Sequence, residues 1–418
     1  MTLLGVITTL SLSFCLWLLA AAVLSKLFPR KIRLPDAPVT RFCIVIPAHD
    51  EELVIARTLS DLCNIEYPQE LFNVALIADN CTDRTAQIAE RFPSVDVLKR
   101  ENPDRRGKGY ALNWALERLA ADDKFDTFIV VDADTSVEPT FLRAMDSRRQ
   151  QNAGKPFAAQ GRYDVQNPDD SWRTALMAGA LSLVHVVRPM ARERLGLTTG
   201  LKGNGMAFDR SVLLAVQWAG DSLTEDIEYT LDLLEKLNIT VAFVPEAKVA
   251  ALMPSTAKGA ESQRRRWENG RNSLLKRRAF SLLVKGLLRL NPLYIDAAID
   301  LLSPPIAEMA ALLAAWILTI GIFGAEGGDW RLAAIFAGAA VFGLALYVLG
   351  GFAAAGAPAL AYRALLYAPF YMIWKIVLRL TPRSSSEWVR TDREQQPVDD
   401  DLSLISETNV KTADRTSH

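Results

Sequence analysis

The sequence predicts an α/β fold, a mostly parallel sheet domain that lies between apolar, helical ends. Between residues 42 and 131, short β-rich runs alternate with segments of helical spacing, which is typical of parallel strands joined by helices. The chain has 418 residues, 50% of them hydrophobic, and a mean hydropathy of +0.11. Its apolar residues are concentrated toward the two ends. Such a chain has room for one catalytic domain and several membrane segments.

The charge and the cysteine content argue against several classes of protein, namely nucleic-acid-binding, disulfide-bonded and zinc-binding proteins. The formal net charge is -1, from 47 Lys and Arg against 48 Asp and Glu, which argues against a nucleic-acid partner held by a global positive field. The four cysteines show no Cys-x-x-Cys or Cys/His spacing, so neither a disulfide framework nor a zinc site is indicated. Free thiols fit a cytosolic catalytic domain.

The N-terminal segment predicts a membrane anchor. Residues 3 to 27 are almost uninterrupted apolar side chains, enough to cross a bilayer, whereas a cleaved signal peptide would start with basic residues and have a shorter apolar core. Basic residues follow the segment directly, namely Lys26, Arg30, Lys31 and Arg33. The positive-inside rule therefore places the N-terminus outside and the central region in the cytoplasm.

The second half of the chain predicts further membrane segments. Two spans are expected at 305–323 and 331–355, joined by an acidic, Gly-rich loop. The stretch 358–380 is interrupted by Arg363 and Lys375 and is interpreted as an interfacial helix, with a re-entrant helix or a further crossing left open. Residues 271 to 290 mix Lys and Arg with Leu, Val and Phe, as in a basic amphipathic helix on the inner leaflet.

These patterns divide the chain into six segments. They are an N-terminal transmembrane anchor (1–30), a cytosolic sheet domain (38–270), an amphipathic interfacial segment (271–300), two transmembrane helices (301–356), an interfacial or further membrane helix (357–382) and a partly disordered cytosolic tail (383–418).

Acidic side chains follow two of the predicted strands. Strands are expected at 42–47, 74–78, 95–98 and 127–131, with helices at 51–63, 82–92 and 110–121. Asp79 and Asp132 then lie at carboxyl ends of strands, where open α/β sheets bind ligands, although either alone is also a common turn residue. Asp132 and Asp134 are separated by one residue and could offer two oxygen ligands to a hard divalent cation.

Three later motifs carry candidate chemistry, each with a plainer alternative. Lys202-Gly203-Asn204-Gly205 permits close backbone approach to a ligand, or a simple turn into a strand. Thr224-Glu225-Asp226 opens a helix, where acidic residues also complement the helix dipole. Gln263 and Trp267 are four apart and share a helix face if the segment is helical, while the intervening arginines could clamp phosphate or contact lipid headgroups.

In this order, the motifs resemble those of the membrane-bound glycosyltransferases of family two, the group that includes cellulose, hyaluronan and poly-N-acetylglucosamine synthases. The resemblance covers most of the chain and is carried by Pro47-Ala48-His49-Asp50-Glu51-Glu52, Ala78-Asp79-Asn80-Cys81-Thr82-Asp83, Gly107-Lys108-Gly109-Tyr110-Ala111-Leu112-Asn113, Asp132-Ala133-Asp134, Thr224-Glu225-Asp226 and Gln263-Arg264-Arg265-Arg266-Trp267. It implies a GT-A type fold, a nucleotide-activated sugar donor, and transfer with inversion. A weaker match, Trp388-Val389-Arg390-Thr391, is similar to a segment that folds over the site in the synthases.

The resemblance also implies roles for individual residues. The donor would contact Pro47, Ala48, Glu51, Asp79, Lys108, Asp132 and Arg266. Asp132 and Asp134 would bind a Mg²⁺ or Mn²⁺ ion. Asp226 would be the general base beside Glu225, and Arg266 would stabilise the departing diphosphate. The acceptor would contact Gln263, Trp267, Gly203 and Asn204.

The implied function is an inverting β-glycosyltransferase that uses a UDP-hexose or UDP-N-acetylhexosamine to make an extracellular polysaccharide at the inner membrane. One alternative is a transferase that adds a single sugar to a lipid acceptor, and a second is an inactive scaffold of a polysaccharide-export complex. The implied partners are the UDP-sugar, a polysaccharide or lipid-linked acceptor and the lipid bilayer, with export or accessory membrane proteins left open and no nucleic acid. The protein is expected to be multi-pass, with its catalytic domain in the cytoplasm.

Overall fold

A computed structural model of the protein describes residues 3–27, 37–218, 220, 222 and 224–380. The expected tail and the motif at Trp388 lie outside the described residues. The described chain forms two compact units. The sheet unit comprises residues 37–166 and Thr198–Ser273, and the helical unit comprises residues 3–27, Asn167–Leu197 and 274–380.

The secondary structure alternates between strands and helices through the sheet unit and is helical elsewhere. In chain order, the strands are β1 (Phe42–Ala48), β2 (Phe72–Asp79), β3 (Val95–Arg100), β4 (Thr127–Val130), β5 (Thr135–Val137), β6 (Ala158–Val165), β7 (Met206–Asp209) and β8 (Ala242–Ala251). The α-helices are α1 (Leu3–Leu27), α2 (Ile55–Cys63), α3 (Thr85–Ala89), α4 (Lys108–Leu119), α5 (Phe141–Gln151), α6 (Trp172–Ser182), α7 (Arg188–Leu195), α8 (Arg210–Ala215), α9 (Glu225–Asp232), α10 (Ala257–Leu274), α11 (Phe280–Leu288), α12 (Pro292–Leu302), α13 (Ile306–Ala325), α14 (Arg331–Ala355), α15 (Ala359–Ala364) and α16 (Ala368–Leu380). Single π-helical turns occupy Leu183–Val187, Leu233–Leu237 and Leu275–Ala279.

The eight strands form one sheet in the order β3-β2-β1-β4-β7-β6-β8-β5. The pairs β1–β2, β1–β4, β2–β3 and β6–β8 are parallel, and the other three pairs are antiparallel. The predicted α/β class with a mostly parallel sheet is confirmed. Because β1, β2 and β4 run in one direction, their carboxyl ends meet at one edge of the sheet.

The centre of the sheet is built from strands that are apolar on both faces. In β1 only Pro47 is not fully buried, which is typical of a parallel strand covered by helices on both sides. The amphipathic helix α2 buries Ile55, Leu59 and Leu62. Burial of such side chains stabilises the unit by about 1.5–3 kcal/mol for each one.

Helix α3 is shorter than the helix predicted at 82–92. The Asp83 carboxylate accepts hydrogen bonds from the Thr85 backbone N–H (2.9 Å) and hydroxyl (2.6 Å), and the Asp50 carboxylate accepts one from the Thr82 N–H (2.6 Å). These side-chain bonds satisfy the backbone before Thr85 in a loop conformation, so the helix begins three residues later than the sequence indicated.

The helical unit contains helices that are long and apolar enough to cross a membrane. Among the described residues there are four, judged by length and composition: Gly5–Leu27, Trp172–Leu195, Ile306–Ala325 and Arg331–Ala355. The first, third and fourth coincide with predicted spans. Sequence reasoning missed the second, which joins α6 and α7 through a π-helical turn, because four arginines and Pro189 interrupt its apolar pattern.

Two of the four arginines of this second helix, Arg188 and Arg192, are neutralised inside the helical unit. Arg192 is 2% exposed, and its Nε lies 2.9 Å from Asp296 Oδ2 while its Nη2 lies 2.8 Å from Asp300 Oδ1. Arg188 Nη1 lies 3.4 Å from the same Asp300 oxygen. Buried charges need such partners, since removal of one member leaves an uncompensated charge that costs about 3–5 kcal/mol.

The stretch predicted as an interfacial or further membrane helix consists of shorter pieces. It forms α15, a 3₁₀ turn at Leu365–Tyr367, and α16. Lys375 is 8% exposed and its Nζ lies 3.3 Å from Glu308 Oε1 on α13. The segment boundaries and the membrane orientation stay predictions.

A substitution at Gly161 in β6 can test the tight packing between strands of the sheet. A Cβ atom at this position would lie 2.6 Å from the Ala247 carbonyl oxygen, where the register of β6 against β8 shifts. We expect Gly161→Ala to lower the free energy of unfolding by about 1–3 kcal/mol, measured by thermal or denaturant unfolding in detergent. Gly338→Ala is the control, because a Cβ at Gly338 would meet nothing within 4 Å; equal effects of the two changes would contradict the packing argument.

Candidate active site

Charged side chains gather at the sheet edge formed by the carboxyl ends of β1, β2 and β4. Lys108 is the first residue of α4, after Gly107 with a φ of 119°. Its Nζ donates hydrogen bonds to Asp132 Oδ1 (2.5 Å), two residues beyond the end of β4, and to the Gly203 carbonyl oxygen (2.5 Å). One lysine therefore joins two of the predicted motifs.

Three carboxylates hold Lys108 in its charged form. Burial acts to lower the pKa of Lys108, but the charges of Asp132, Glu225 and Asp226 outweigh it and raise the pKa above its ordinary value. A lysine that stays protonated here can neutralise an anionic group brought to the same edge of the sheet.

Asp226 lies opposite Lys108 across Gly203. A Cβ atom on Gly203, whose φ is 82°, would lie 3.6 Å from Asp226 Oδ2 and 3.9 Å from Lys108 Nζ. Asp226 Oδ1 accepts a hydrogen bond from the Ile227 N–H (2.8 Å) in the first turn of α9. Glycine at this position keeps the space between the carboxylate and the amine open.

The environment of Asp226 suits a proton acceptor near neutral pH. Burial, and then the charge of Glu225, raise the pKa of Asp226 from 3.8 to about 6, while the charges of Lys202 and Lys108 act in the opposite direction. A carboxylate with such a pKa is ionised at pH 7 and still basic enough to accept a proton.

The loop that carries Gly203 is fixed from within the sheet. Asn204 is completely buried, donates from Nδ2 to Thr135 Oγ1 (2.8 Å), and accepts from the Asp132 N–H (3.1 Å). Gln160 donates to the Asn204 carbonyl oxygen (2.7 Å) and accepts from the Lys202 N–H (2.8 Å). The structure thus uses the Asn204 side chain to orient Asp132, and its assignment to the acceptor stays a prediction.

Tyr163 on β6 is the centre of a group of carboxylates. Burial, and then the charges of Asp132, Asp134 and Asp226, raise the pKa of the Tyr163 hydroxyl well above its ordinary value, while a hydrogen bond with Asn204 opposes this. The sequence analysis missed Tyr163, Gln160 and Lys202 as site residues. Only the alternation of side chains along β6, which places Tyr163 and Gly161 on one face, could have indicated the first.

Asp132 and Asp134 fit a divalent cation by their chemistry. Both are partly exposed, whereas Ala133 between them and Thr135 after them are buried, and the charges of both carboxylates act on Tyr163. Carboxylate oxygens are the ligands that Mg²⁺ and Mn²⁺ prefer.

A second group of acidic side chains, Asp50 and Asp83, lies close to Cys81. Both carboxylates already accept hydrogen bonds from backbone N–H groups of the neighbouring loop.

Four of the residues predicted to contact the donor, namely Pro47, Ala48, Glu51 and Asp79, lie at or just after the ends of β1 and β2. Asp79 forms a buried ion pair with Arg100, and its backbone oxygen is 2.7 Å from His49 Nδ1. Pro47 and Ala48 end β1, and the Glu51 N–H donates to Thr85 Oγ1 (2.7 Å). The structure brings these residues to neighbouring strand ends, and their contact with a nucleotide stays a prediction.

The basic motif lies on the helix α10. Gln263 and Trp267 are half-buried one turn apart, Arg265 Nε lies 3.0 Å from Glu261 Oε1, and Arg266 is exposed. Among the described residues, no hydrogen bond or ion pair joins Gln263, Arg266 or Trp267 to the cluster around Lys108. The structure therefore places Arg266 where an external group can reach it.

Comparisons with known proteins agree with this geometry. Residues 38–270 match the model of the family described as glycosyltransferase like family 2. A beta-monoglucosyldiacylglycerol synthase from Nostoc sp. is 31% identical over 233 residues, which are 54% of this chain and 48% of that protein. A poly-beta-1,6-N-acetyl-D-glucosamine synthase from Staphylococcus epidermidis is 24% identical over 57% of this chain and 56% of its own length. The chain thus spans about half the length of these relatives.

Solved structures show a more distant similarity. A mannosyltransferase from Pyrobaculum calidifontis, in complex with GDP-Man and Mn²⁺, is 18% identical, with a TM-score of 0.47 over 83% of this chain and 99% of that chain. The glucosyl-3-phosphoglycerate synthase from Mycobacterium tuberculosis, in complex with Mn²⁺, UDP and phosphoglyceric acid, is 21% identical, with a TM-score of 0.38 over 54% of this chain and 75% of that chain.

The family model includes every residue of the cluster formed by Lys108, Asp132, Gly203 and Asp226. The matched residues make up more than half of the chain. The protein therefore belongs to glycosyltransferase like family 2.

Proposed function

We propose that the protein is an inverting β-glycosyltransferase that transfers a hexose or N-acetylhexosamine from a UDP-sugar to an acceptor at the cytoplasmic side of the inner membrane. The observation that carries the proposal is the pairing of a basic Asp226 with a charged Lys108 across the open position at Gly203. Sugar transfer from a nucleotide needs a base for the acceptor hydroxyl and positive charge for the diphosphate, and this site holds both within one space.

In this mechanism a negatively charged residue acts on the acceptor hydroxyl, and positively charged residues act on the diphosphate. Asp226 accepts the proton of the acceptor hydroxyl as that oxygen attacks the anomeric carbon of the sugar. Lys108 is oriented by Asp132 toward the diphosphate side, and Arg266 on α10 supplies a further positive charge there. Because bond formation and bond breaking occur on opposite sides of the sugar ring, a single displacement inverts the anomeric configuration.

A Mg²⁺ or Mn²⁺ ion would be held by Asp132 and Asp134. When bound, such an ion stabilises the negative charge of the departing diphosphate. Asn204 would fix the backbone before that site by accepting a hydrogen bond from the Asp132 N–H.

Two acceptor classes fit this reaction, and the glycolipid is favoured. The relative named beta-monoglucosyldiacylglycerol synthase is 31% identical to the chain, against 24% for the poly-beta-1,6-N-acetyl-D-glucosamine synthase. A lipid acceptor would share the bilayer with the four helices of membrane-spanning length among the described residues. The extracellular polysaccharide predicted from the sequence is the second candidate acceptor, and its synthesis would require export or accessory membrane proteins.

One experiment tests both the donor and the acceptor. The full chain is purified into lipid nanodiscs with and without diacylglycerol, supplied with a panel of nucleotide sugars, and assayed for released UDP and for the labelled product. A glycolipid that extracts into organic solvent supports the first acceptor, and a polymer that grows during incubation supports the second. Absence of sugar transfer or UDP release with every donor and either metal would overturn the proposal and favour an inactive scaffold.

Asp226→Asn tests the general base. The amide keeps the shape of the side chain but cannot accept the proton, so turnover should fall by at least about 100-fold while UDP affinity is unchanged. Turnover is measured as UDP release and affinity by calorimetry. Asp232→Asn, on the same helix, should keep near-normal turnover; near-normal turnover in Asp226→Asn would end its assignment as the base.

The pH dependence of turnover tests the environment of Asp226. Its carboxylate must be ionised to act, so the rate should fall as pH drops through about 6. Lys202 lowers the pKa of Asp226, so Lys202→Met should raise this pKa and move the acid limb of the pH–rate profile to higher pH. Lys236→Met, which removes an exposed lysine paired with Asp232, should leave the limb in place. A limb that moves to lower pH in Lys202→Met would contradict the assignment.

Asp134→Ala tests the metal site. Loss of one of two carboxylate ligands should abolish both Mn²⁺ binding, measured by electron paramagnetic resonance of added Mn²⁺, and metal-stimulated turnover. Asp164→Ala removes a carboxylate that pairs with Arg162 (2.7 Å) and should change neither. Unchanged Mn²⁺ binding in Asp134→Ala would remove this residue from the site.

A further inference from the structure

The end of α11 has an unusual residue at its terminal turn. The Leu290 N–H donates to the Leu287 carbonyl oxygen (3.3 Å), and the Asn291 N–H donates to the Gly286 carbonyl oxygen (2.9 Å). These two bonds form a Schellman motif, which places Leu290 in the left-handed region with a φ of 50°. Glycine is the usual residue there, because a Cβ atom crowds the backbone in this conformation.

The fold gives Leu290 no compensation for this strain. Its side chain is 86% exposed, and the other non-glycine residues with positive φ in the described chain are Asp50, Asn80 and Asn238, whose short polar side chains tolerate this conformation. A leucine that is strained and also exposed contributes nothing to the packing of the unit. Its apolar side chain points to a contact outside the polypeptide.

Leu290 continues an exposed apolar stripe along α11. Phe280 is 76% exposed, Leu287 57% and Leu288 80%, and their spacing of seven and eight residues keeps them on one side of the helix. The opposite side is packed, since a Cβ atom on Gly286 would lie 2.8 Å from Ile295 Cγ1 of α12. The stripe therefore lies on the exposed face of α11, and the opposite face of the helix packs against α12.

Positive charge surrounds this stripe. Residues 269 to 295 contain six basic residues and no acidic one. Lys276 and Arg277 are exposed one turn before Phe280, and Arg289 is exposed directly before Leu290. An apolar stripe flanked only by positive charge complements one kind of surface, a bilayer with anionic headgroups, and each basic residue near such a surface strengthens binding by about fivefold.

We propose that the apolar stripe of α11 and Leu290 insert into the membrane interface, and that Lys276, Arg277 and Arg289 select anionic lipid headgroups around them. Leu290 is then the apolar wedge at the end of the helix, and the backbone strain is offset by burial of its side chain among acyl chains. The helical unit that carries this surface also carries the helices of membrane-spanning length, which would bring the surface to a bilayer. The proposal is independent of the sugar-transfer reaction.

Hydrogen exchange of the full chain in nanodiscs tests this surface. Two compositions are compared, phosphatidylcholine alone and an equal mixture with phosphatidylglycerol, and the readout is the amide exchange rate of residues 280–291. The wild-type segment should exchange at least about fivefold more slowly in the mixed bilayer. Equal rates in the two bilayers would overturn the proposal and would indicate that a protein partner or nothing covers the stripe.

Two variants separate charge from insertion. The combined Lys276→Gln, Arg277→Gln and Arg289→Gln change should abolish the difference between the bilayers. The matched change of three exposed basic residues in the sheet unit, Lys124→Gln, Arg143→Gln and Lys155→Gln, should keep it. A difference that survives the first change would overturn the proposed selection of anionic lipid.

Leu290→Asn tests the wedge itself. Asparagine accepts the left-handed conformation without an apolar side chain, so the variant should be at least as stable as wild type in detergent and yet exchange faster in both bilayers. Exchange at the wild-type rate in both bilayers would show that Leu290 does not enter the membrane.

Discussion

The site depends on one arrangement of charge, in which a single lysine is held among three carboxylates at the edge of the sheet. Lys108 bridges Asp132 and the Gly203 backbone, and its charge also acts on Glu225 and Asp226. Carboxylates crowded at one place repel each other, and the shared ammonium group reduces that repulsion without removing the basicity of Asp226. Residues that are distant in sequence, on α4, just after β4, in the 202–205 loop and on α9, can therefore occupy one small space.

Much of this arrangement could be predicted because it follows from the direction of the strands. The buried runs that became β1, β2 and β4 are short and apolar, and each is followed by polar residues. Parallel strands bring their carboxyl ends together, so Asp79 and Asp132 had to lie at one edge. The spacing of Gln263 and Trp267 places both on one face if the segment is helical, and the segment is the helix α10.

The rest could not be predicted because it depends on partners that are remote in sequence. Tyr163 and Gln160 carry no motif, and they matter only because β6 pairs with β7 and β8 beside the carboxylates. The helix Trp172–Leu195 has four arginines, and the sequence alone does not reveal that Asp296 and Asp300, about a hundred residues later, neutralise two of them. A hydropathy average over a window lowers its value by the same amount for a paired and an unpaired charged residue. The average therefore underestimates how apolar a helix with paired charges is.

The position of that helix in the chain has a consequence for biogenesis. It lies between β6 and β7, yet β7 hydrogen-bonds between β4 and β6 in the finished sheet. A ribosome therefore delivers six strands, then an apolar helix long enough to cross a membrane, and only afterwards the strand that joins the two halves of the sheet. Completion of the sheet must wait until this apolar segment has left the exit tunnel, so the order of translation sets when the sheet can fold.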